Sequence, residues 1–251
     1  MTLEILNLIS LPIIEAVLDI ECDLPPDLVF STLEQPARDR FSDCYPVTRT
    51  QFLQEHQIGF KPNEQPSFSG RHTVQAFQFL QSDEKQLVQI TTRGFSFNRL
   101  APYTSLDDYL PEIERIWRIY MELANPIRIR LVRLRYINRI ELPASGKSVH
   151  LDDYFKIAPR FFEDEKFTFA GFLNQHAALE NETGNLVEII LTNQPLNGQI
   201  LPIIFDTTVT DLTGGEPDEW PLIRTKISEL RTLKNRIFKN SLTDKCLDFY
   251  R

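Results

Sequence analysis

Apolar and polar residues alternate most clearly between Ile127 and Leu142. Apolar residues alternate with arginines from Ile127 to Leu131, which is the two-residue period of a strand with one buried face. From Val132 onward the apolar residues fall in the opposite register. A two-residue pattern changes phase within one strand only where an extra residue is inserted, so we expect a β-bulge near Leu131 and Val132. Beyond it, Arg133 and Arg135 should lie on one face and Asn138 on the other.

The rest of the N-terminal half also divides into strands and helices. Alternation and turn residues predict strands at residues 11–21, 48–60, 72–80 and 86–100, with a loop at 61–70 and a hairpin turn at 82–85. Apolar residues spaced by three and four predict a helix from about Pro111 to Leu123. Shorter helical pieces are expected at residues 27–33 and 36–41.

The C-terminal half repeats a similar order of elements. A short helix or turn is predicted at residues 151–162, followed by strands at 166–179, 185–196 and 200–212. Asn197-Gly198 has the composition of a hairpin turn. A long helix is predicted from Pro221 to Lys239, and Ser241 with Asp244 resembles the capping box of a final short helix.

These elements predict an α+β fold with two antiparallel β-sheets, each packed by a long α-helix. The first lobe would comprise residues 1–142 and the second residues 143–251. The two lobes could be a diverged tandem repeat, because their element orders are similar and the Asp-Asp-Tyr triplet at Asp107 recurs at Asp152. The alternative is that the halves are unrelated.

Composition and charge are those of a cytoplasmic globular protein. Hydrophobic residues make up 42% of the 251 residues, and the net charge of -8 disfavours a surface that binds nucleic acid throughout. The three cysteines show no metal-ligand spacing, and we expect them to be reduced thiols. No apolar segment reaches the roughly 20 residues that a membrane helix needs, and the N-terminus lacks the basic region of a signal peptide.

Familiar catalytic patterns are absent from the sequence. It contains no GxSxG, GxxxxGK[ST], HExxH or GxGxxG motif, and its four histidines lie far apart along the chain. We therefore expect no metal and no cofactor, and the sequence favours a protein that is not an enzyme. Paired acids such as Asp107 and Asp108 begin predicted helices, where a carboxylate stabilises the helix dipole.

Arginines on the predicted strands are the strongest polar signal. Guanidinium groups bind phosphate and carboxylate with paired hydrogen bonds, so a cluster of them suggests a site for an anionic ligand. The candidate ligand-binding residues are Arg93, Arg133, Arg135, Asn138 and Arg139. Alternatively, the arginines pair with acidic residues to form a charged sheet face.

The predicted C-terminal helix is basic on a protein that is acidic overall. Its candidate surface for a partner or nucleic acid comprises Arg224, Arg231 and Lys234. The alternative is a solvated helix face whose cations interact favourably with the C-terminal end of the helix dipole.

Several segments along the chain resemble those of a known family. They are Pro12 to Val17, Tyr45-Pro46, Phe95 to Asn98, Arg133 to Ile140, Asp153 to Phe155 and Leu242 to Asp244. The chain resembles a sporadically distributed family of uncharacterised prokaryotic proteins of about this length, with Lys234 where a histidine would be expected. The resemblance implies no activity, cofactor or catalytic residue. A sporadic distribution is typical of mobile genes, such as those of defence or toxin–antitoxin systems.

Taken together, these features predict a non-enzymatic binding or interaction protein. We expect a protein partner, with this chain as the accessory or neutralising member of a mobile defence or toxin–antitoxin-type system. One alternative is an enzyme that binds a small molecule or nucleotide through the arginine-rich strand. The other is nucleic-acid binding through the cationic C-terminal helix. An anionic ligand and a homo-oligomer are both compatible with the sequence.

Overall fold

The structure is a computed structural model in which nine antiparallel strands form one continuous sheet. It describes residues 11–59, 67–144, 149–160, 166 and 170–251. The strands are β1 (Ile13–Asp23), β2 (Val47–Gly59), β3 (Ser67–Leu80), β4 (Gln86–Thr91), β5 (Gly94–Leu100), β6 (Arg128–Pro143), β7 (Leu173–Leu179), β8 (Leu186–Asn193) and β9 (Ile200–Asp211). The helices are α1 (Glu34–Phe41), α2 (Leu106–Ala124), α3 (Trp220–Ser241) and α4 (Asp244–Leu247), with 3-10 turns at Phe30–Leu33 and Leu151–Asp153.

The prediction of two sheets, each packed by a long helix, is wrong. The strands follow the order β2-β3-β4-β5-β1-β6-β9-β8-β7 in a single sheet. Strand β1 pairs with β5 on one side and with β6 on the other, and β6 also pairs with β9. The strands of both halves are therefore joined through β6. The predicted boundary at residues 142 and 143 falls at the end of β6, and the division into lobes stays a prediction.

Three local predictions also need correction. The single strand predicted at residues 86–100 is the hairpin of β4 and β5, which turns at Thr92 and Arg93. The last helix is capped by Thr243, whose hydroxyl accepts a hydrogen bond from the backbone of Cys246, and not by Ser241. Residues 67–70 belong to β3 and not to a loop. The remainder of that predicted loop, with parts of the elements predicted at 151–162 and 166–179, lies outside the described residues.

The predicted bulge in the arginine-rich strand is confirmed. Glu21 of β1 faces Leu131, whereas the next residue, Cys22, faces Ile129. Arg130 is therefore the extra residue, one position before the predicted place. The bulge allows Ile129 and Val132 to lie on the same buried face although they are three positions apart.

All the helices of the described chain pack on one face of the sheet. Alternate residues of β1 and β6, such as Leu18 and Leu134, point to this face and are buried beneath α2 and α3. Trp117 of α2 and Ile227 of α3 belong to the same apolar cluster. Burial of each such side chain contributes roughly 1.5–3 kcal/mol to folding. No helix within the described residues has the length and apolar character required to cross a membrane.

A second apolar cluster lies on the same face, toward the far end of β6. It includes Ile140 of β6, Phe205 of β9, Phe238 of α3 and Leu247 of α4. Helix α3 contributes to both clusters, since its residues up to Leu233 belong to the first. The helix therefore holds the two parts of the core together.

Helices α2 and α3 run antiparallel and are joined at two points. The indole Nε1 of Trp117 donates a hydrogen bond to the carbonyl oxygen of Pro217 at 3.1 Å, just before α3 begins. Near the start of α2, a carboxylate oxygen of Asp107 lies 2.8 Å from a guanidinium nitrogen of Arg231, in the middle of α3. These contacts fix the orientation of α3 relative to α2.

A glycine in the loop between β9 and α3 provides a test of how closely this loop packs against β6. Gly214 has a φ of +67°, and a Cβ built there would lie 2.3 Å from the carbonyl oxygen of Ile129. Gly198 has a similar φ of +61°, but a Cβ there would meet nothing within 4 Å. We expect Gly214→Ala to lower the free energy of unfolding by about 2–4 kcal/mol, because the clash adds to the backbone strain. Urea denaturation of both alanine variants measures the difference.

Gly198→Ala is the matched control because it carries only the cost of the left-handed backbone. That cost is about 1 kcal/mol. Equal losses of stability in the two variants would contradict a close contact between the loop and β6.

Candidate functional site

The sheet face opposite the helices is lined by polar and charged side chains. Ser96 of β5, Asp19 of β1, Arg133 of β6 and Thr210 of β9 form one row across adjacent strands. Each belongs to the register opposite to that of the buried core residues. Strand pairing therefore brings together polar groups that are distant in the sequence.

A chain of side-chain hydrogen bonds crosses this face from β3 to β1. The amide of Gln78 donates to Gln89 at 2.9 Å, and the amide of Gln89 donates to Asn98 at 3.1 Å. Asn98 in turn donates to a carboxylate oxygen of Glu15 at 2.8 Å. Ser96 also donates to Asn98, at 3.1 Å. These side chains are held in fixed orientations, which reduces the entropy lost when they contact a partner.

Guanidinium groups gather around Glu21 near the end of β1. The atoms Arg130 Nη2 and Arg133 Nη1 lie 3.1 Å and 3.4 Å from the Glu21 carboxylate, and Arg93 Nη1 lies 3.9 Å from it. Arg128 is the next arginine along this end of the sheet and lies 3.9 Å from Asp23. We call Arg93, Arg128, Arg130 and Arg133 the arginine cluster.

The arginine cluster has more positive than negative charge in its immediate surroundings. Its four guanidinium groups contact three acids, which are Asp19, Glu21 and Asp23. Burial raises the pKa of Asp19, against the opposing charge of Arg133. The cluster therefore carries a surplus cation on an acidic protein.

The outermost arginines of the cluster are available for contact. The side chains of Arg93 and Arg128 are 69% and 63% exposed, and their only ion pairs among the described residues are the long ones at 3.9 Å. Ion pairs of this length on an exposed surface contribute little to stability. Both guanidinium groups can therefore turn toward an incoming acid at small cost.

The other predicted ligand residues do not join the arginine cluster. Arg135 donates through Nε and Nη2 to the carboxylate of the buried Asp206, at 2.6–3.0 Å. Arg139 pairs with Glu141 at 3.3 Å. Asn138 lies on the helix-covered face, as predicted, and donates to the carbonyl oxygen of Phe205 at 3.0 Å. One pocket formed by all five predicted residues is therefore not present.

A band of polar residues separates the two apolar clusters on the helix-covered face. Asn138 of β6 and Thr207 of β9 lie between them on the sheet, and Lys234 lies between them on α3. The Thr207 hydroxyl is buried and has no hydrogen-bond partner among the described residues. We call Asn138, Thr207 and Lys234 the polar seam.

Lys234 is the most unusual residue of the polar seam. Its Nζ lies 3.9 Å from the centre of the Tyr136 ring, a cation–π distance, and it has no ion pair or hydrogen bond among the described residues. Burial of the ammonium, and next the charge of Arg231, lower the pKa of Lys234 to about 7. The residue nevertheless keeps part of its surface exposed. Lys234 is therefore a partly accessible lysine that loses its proton near neutral pH.

Hydroxyl groups surround the tyrosine beneath Lys234. The Tyr103 and Tyr136 hydroxyl oxygens lie 3.1 Å apart, and burial is the main cause of the raised pKa of each. Thr207 is directly opposite Tyr136 on β9. The contact of the Lys234 ammonium that the described residues show is with the Tyr136 ring.

The cationic residues predicted on α3 do not share one surface. Arg224 is exposed, Arg231 is half-buried against Asp107, and Lys234 faces the sheet. The spacing of Lys234 from Leu230 and Phe238 could have revealed its inward position, because residues four apart lie on the same face of a helix. The prediction placed Lys234 on the outer face of the helix only because lysine is charged. Glu21, Asp206 and Thr207 carried no local signal in the sequence, since only strand pairing gives them their neighbours.

Two hollows within the described part of the chain are small. One, against Tyr103 and Tyr136, has a volume of about 10 Å³, and another, beside Gly214 and Lys226, has a volume of about 80 Å³. Pockets for drug-sized ligands usually measure about 300–1,000 Å³. Neither hollow can enclose a nucleotide in this conformation.

No family model, curated protein or solved structure matches the chain. The resemblance of Pro12 to Val17 and Arg133 to Ile140 to a sporadic family stays a prediction. Geometry and charge are therefore the basis for the function proposed below.

The lowered pKa of Lys234 predicts how the free energy of unfolding depends on pH. Below pH 7 the folded protein must hold a buried ammonium, whereas between pH 7 and 10 only the unfolded chain keeps the extra proton, so wild-type stability should rise with pH. We expect Lys234→Met to raise the free energy of unfolding by about 1 kcal/mol at pH 6, with the gain falling as the pH rises to 9. Urea denaturation across this range measures the gain.

Lys245 provides the control, because its Nζ lies 4.7 Å from the centre of the Tyr154 ring and also 2.8 Å from Asp153. That hydrogen bond raises the pKa of Lys245. When folding raises the pKa of a lysine, the protonated lysine stabilises the folded state. This stabilisation is lost only above the pH at which the same lysine loses its proton in the unfolded chain. The effect of Lys245→Met should therefore stay constant from pH 6 to 9. A constant effect of Lys234→Met would contradict the lowered pKa.

Proposed function

We propose that this chain is a non-enzymatic binding protein whose arginine cluster binds an acidic segment of a protein partner. The observation that carries the proposal is the convergence of guanidinium groups on Glu21, with Arg93 and Arg128 largely exposed. The proposed role is that of an accessory or neutralising partner in a mobile defence or toxin–antitoxin-type system.

The charge arrangement supports an acidic partner. Glu21 is buried and holds Arg130 and Arg133 in place, whereas the outer Arg93 and Arg128 have only long ion pairs. A carboxylate brought by a partner can bind these two guanidinium groups without removing the acids that hold the inner two. Arginine is enriched at protein interfaces, and complementary exposed charges also raise the rate of association.

The hydrogen-bonded amides extend this recognition surface across the sheet. Gln78 and Gln89 lie on β3 and β4, and their hydrogen bonds continue to Glu15 of β1 through Asn98. A partner that contacts this surface meets side chains whose positions are already fixed. Neither of the two hollows given for the described residues is lined by these amides or by the arginine cluster. A surface of this kind favours a protein over a small molecule.

The two alternative functions have weaker support from the geometry. The proposed enzyme required Arg93, Arg133, Arg135 and Asn138 around one pocket, but Asn138 lies on the opposite face of the sheet. Nucleic-acid binding by α3 required Lys234 on an outer surface, and Lys234 faces Tyr136. The net charge of -8 also opposes binding to a polyanion.

Affinity purification from the source cells tests the proposal when it is combined with charge reversal. We expect a stoichiometric protein partner to co-purify with the wild type and to be reduced at least about tenfold by the double variant Arg93→Glu, Arg128→Glu. Both residues are exposed, so the variant should keep its fold, which circular dichroism verifies. Quantitative mass spectrometry measures the bound partner.

Arg118→Glu is the matched control, because Arg118 is 66% exposed and lies on α2, away from the open sheet face. It should retain the partner in full. Equal retention by all three proteins would exclude the arginine cluster as the binding surface. Recovery of nuclease-sensitive nucleic acid in place of a protein would overturn the proposal.

A further inference from the structure

We propose that β7 is an interaction edge at which two copies of this chain pair antiparallel about His176. This pairing joins the two nine-stranded sheets into one continuous sheet. The edge is separate from the arginine cluster, which lies on β6 and in the turn before β5. The proposal stands on the backbone of β7, on the lack of charged side chains along it and on the symmetry of its sequence.

The outer edge of β7 carries backbone groups that no described strand uses. β7 is the last strand of the sheet, and among the described strands it pairs only with β8. The backbone N–H of Glu180 donates to the carbonyl oxygen of Asn185, just before β8, at 2.9 Å. Hydrogen bonds of an antiparallel strand point alternately to its two sides. The residues whose N–H and C=O groups point outward are therefore Leu173, Gln175, Ala177 and Leu179.

The two edges of the sheet differ in how they are protected. β2 has a bulge between Gln51 and Phe52, and its sequence includes Arg49 and Glu55. Bulges and charged residues are common means by which exposed edges avoid pairing with other chains. β7 contains no aspartate, glutamate, lysine, arginine or proline, and its register with β8 is regular from end to end. The unprotected edge is therefore suited to pairing with another strand.

The side chains of β7 favour a second copy of the same strand as its partner. Leu173 and Leu179 are 71% and 63% exposed, and their even spacing places them on the same face of the sheet. Both are equally distant from His176 along the strand. A two-fold axis at His176 therefore places Leu173 of each copy opposite Leu179 of the other. The exposed leucines then cover one another, and no pair of like charges is formed within the strand.

This register also satisfies the backbone of both copies. Every outward-pointing residue meets an outward-pointing residue of the other copy, so the two strands can exchange hydrogen bonds along their length. A shift by one residue would place outward-pointing groups opposite inward-pointing ones. A shift by two residues would keep the hydrogen bonds but separate the leucines. His176 forms the non-hydrogen-bonded pair on the axis, where opposite side chains come closest.

The contact is small, so the dimer should be weak and reversible. β7 is a strand of seven residues, and interfaces of low area are typical of weak complexes. The net charge of -8 on each copy adds a long-range repulsion. We therefore expect a dissociation constant in the micromolar range, which sedimentation velocity over a series of concentrations measures.

Disulfide trapping tests the edge and the register together. A Cys44→Ser background removes the native cysteine that is exposed, whereas Cys22 and Cys246 are buried. In this background His176→Cys should form a disulfide between two copies under mild oxidation, because the side chains of a non-hydrogen-bonded pair lie within reach of one. Electrophoresis without reducing agent measures the cross-linked fraction.

Ala178→Cys in the same background is the matched control. Ala178 is exposed and lies on the same face of β7 as His176. The proposed register places it opposite Asn174, so the two copies of position 178 are roughly 13 Å apart along the strands. A disulfide cannot span this distance, and we expect at least about tenfold less cross-linking than for His176→Cys. Equal cross-linking of the two variants would overturn the proposed register.

Charge introduced at each edge of the sheet provides a second measurement. Leu179→Lys places a cation on β7, whereas Leu53→Lys makes the same exchange on β2, where Leu53 is 44% exposed. We expect Leu179→Lys to weaken the dimer at least about tenfold and Leu53→Lys to leave it unchanged, because lysine on an edge strand opposes pairing. Circular dichroism checks that both variants keep the fold. A wild type that stays monomeric at every concentration, or a dimer that only Leu53→Lys weakens, would overturn the proposal.

Discussion

The pairing of β1 with β6 at the centre of the sheet determines the arrangement of most of the molecule. Each strand has a second neighbour, β5 for β1 and β9 for β6, so the pair connects the strands of both halves. Because α2 and α3 cover only one face, alternate residues of each central strand must enter the core and the others must face away. The apolar core and the charged surface are consequences of the same alternation.

This alternation places charged side chains on the face of the sheet that the helices leave uncovered. Glu21 and Asp206 are buried on the face that lacks helices, each beneath the guanidinium groups that neutralise it. Isolated buried carboxylates would be strongly destabilising, so the inner arginines stabilise the fold by neutralising them. The outer Arg93 and Arg128 form only long ion pairs, so they are not needed to neutralise a buried carboxylate. The surface thus combines a fixed inner layer with an outer layer that is free to change partners.

The helix-covered face shows the opposite arrangement, in which a polar group lies within an apolar environment. Lys234 occupies a position in α3 where Leu230 and Phe238, on either side, are buried. A hydrophobic residue there would join the two apolar clusters into one. Retention of lysine divides the core and places a titratable group at its boundary. Such local conflicts with packing are common at functional sites.

Local pattern was sufficient to predict individual strands and helices but not their assembly. The strands β2, β8 and β9, the helix α3 and the bulge at Arg130 agree with expectation, because alternation and helical spacing are properties of adjacent residues. The single sheet was not predicted, since backbone hydrogen bonds are alike in every strand and do not identify the partner. The hairpin at Thr92 was missed because Gly94 is its only typical turn residue.

In the candidate site, too, individual residues could be predicted from local pattern but their partners could not. Arg93 and Arg133 were identified from their chemistry, but their acidic partner, Glu21, lies far away in the sequence and could be found only from strand pairing. Asn138 was placed on the correct face by its position in the alternation. Lys234 was assigned to the outer surface because its charge was given more weight than its helical spacing.

The bulge at Arg130 has a consequence for how this chain can change in length. Loss of one residue from a strand normally exchanges the faces of every residue beyond it. At Arg130 it would not, because Cys22 would still face Ile129 and Glu21 would still face Leu131, now in a regular ladder. β6 could therefore lose this residue and keep the core intact, with the loss confined to one guanidinium group of the charged surface. Related chains that differ by a single-residue gap at this position could share the same fold.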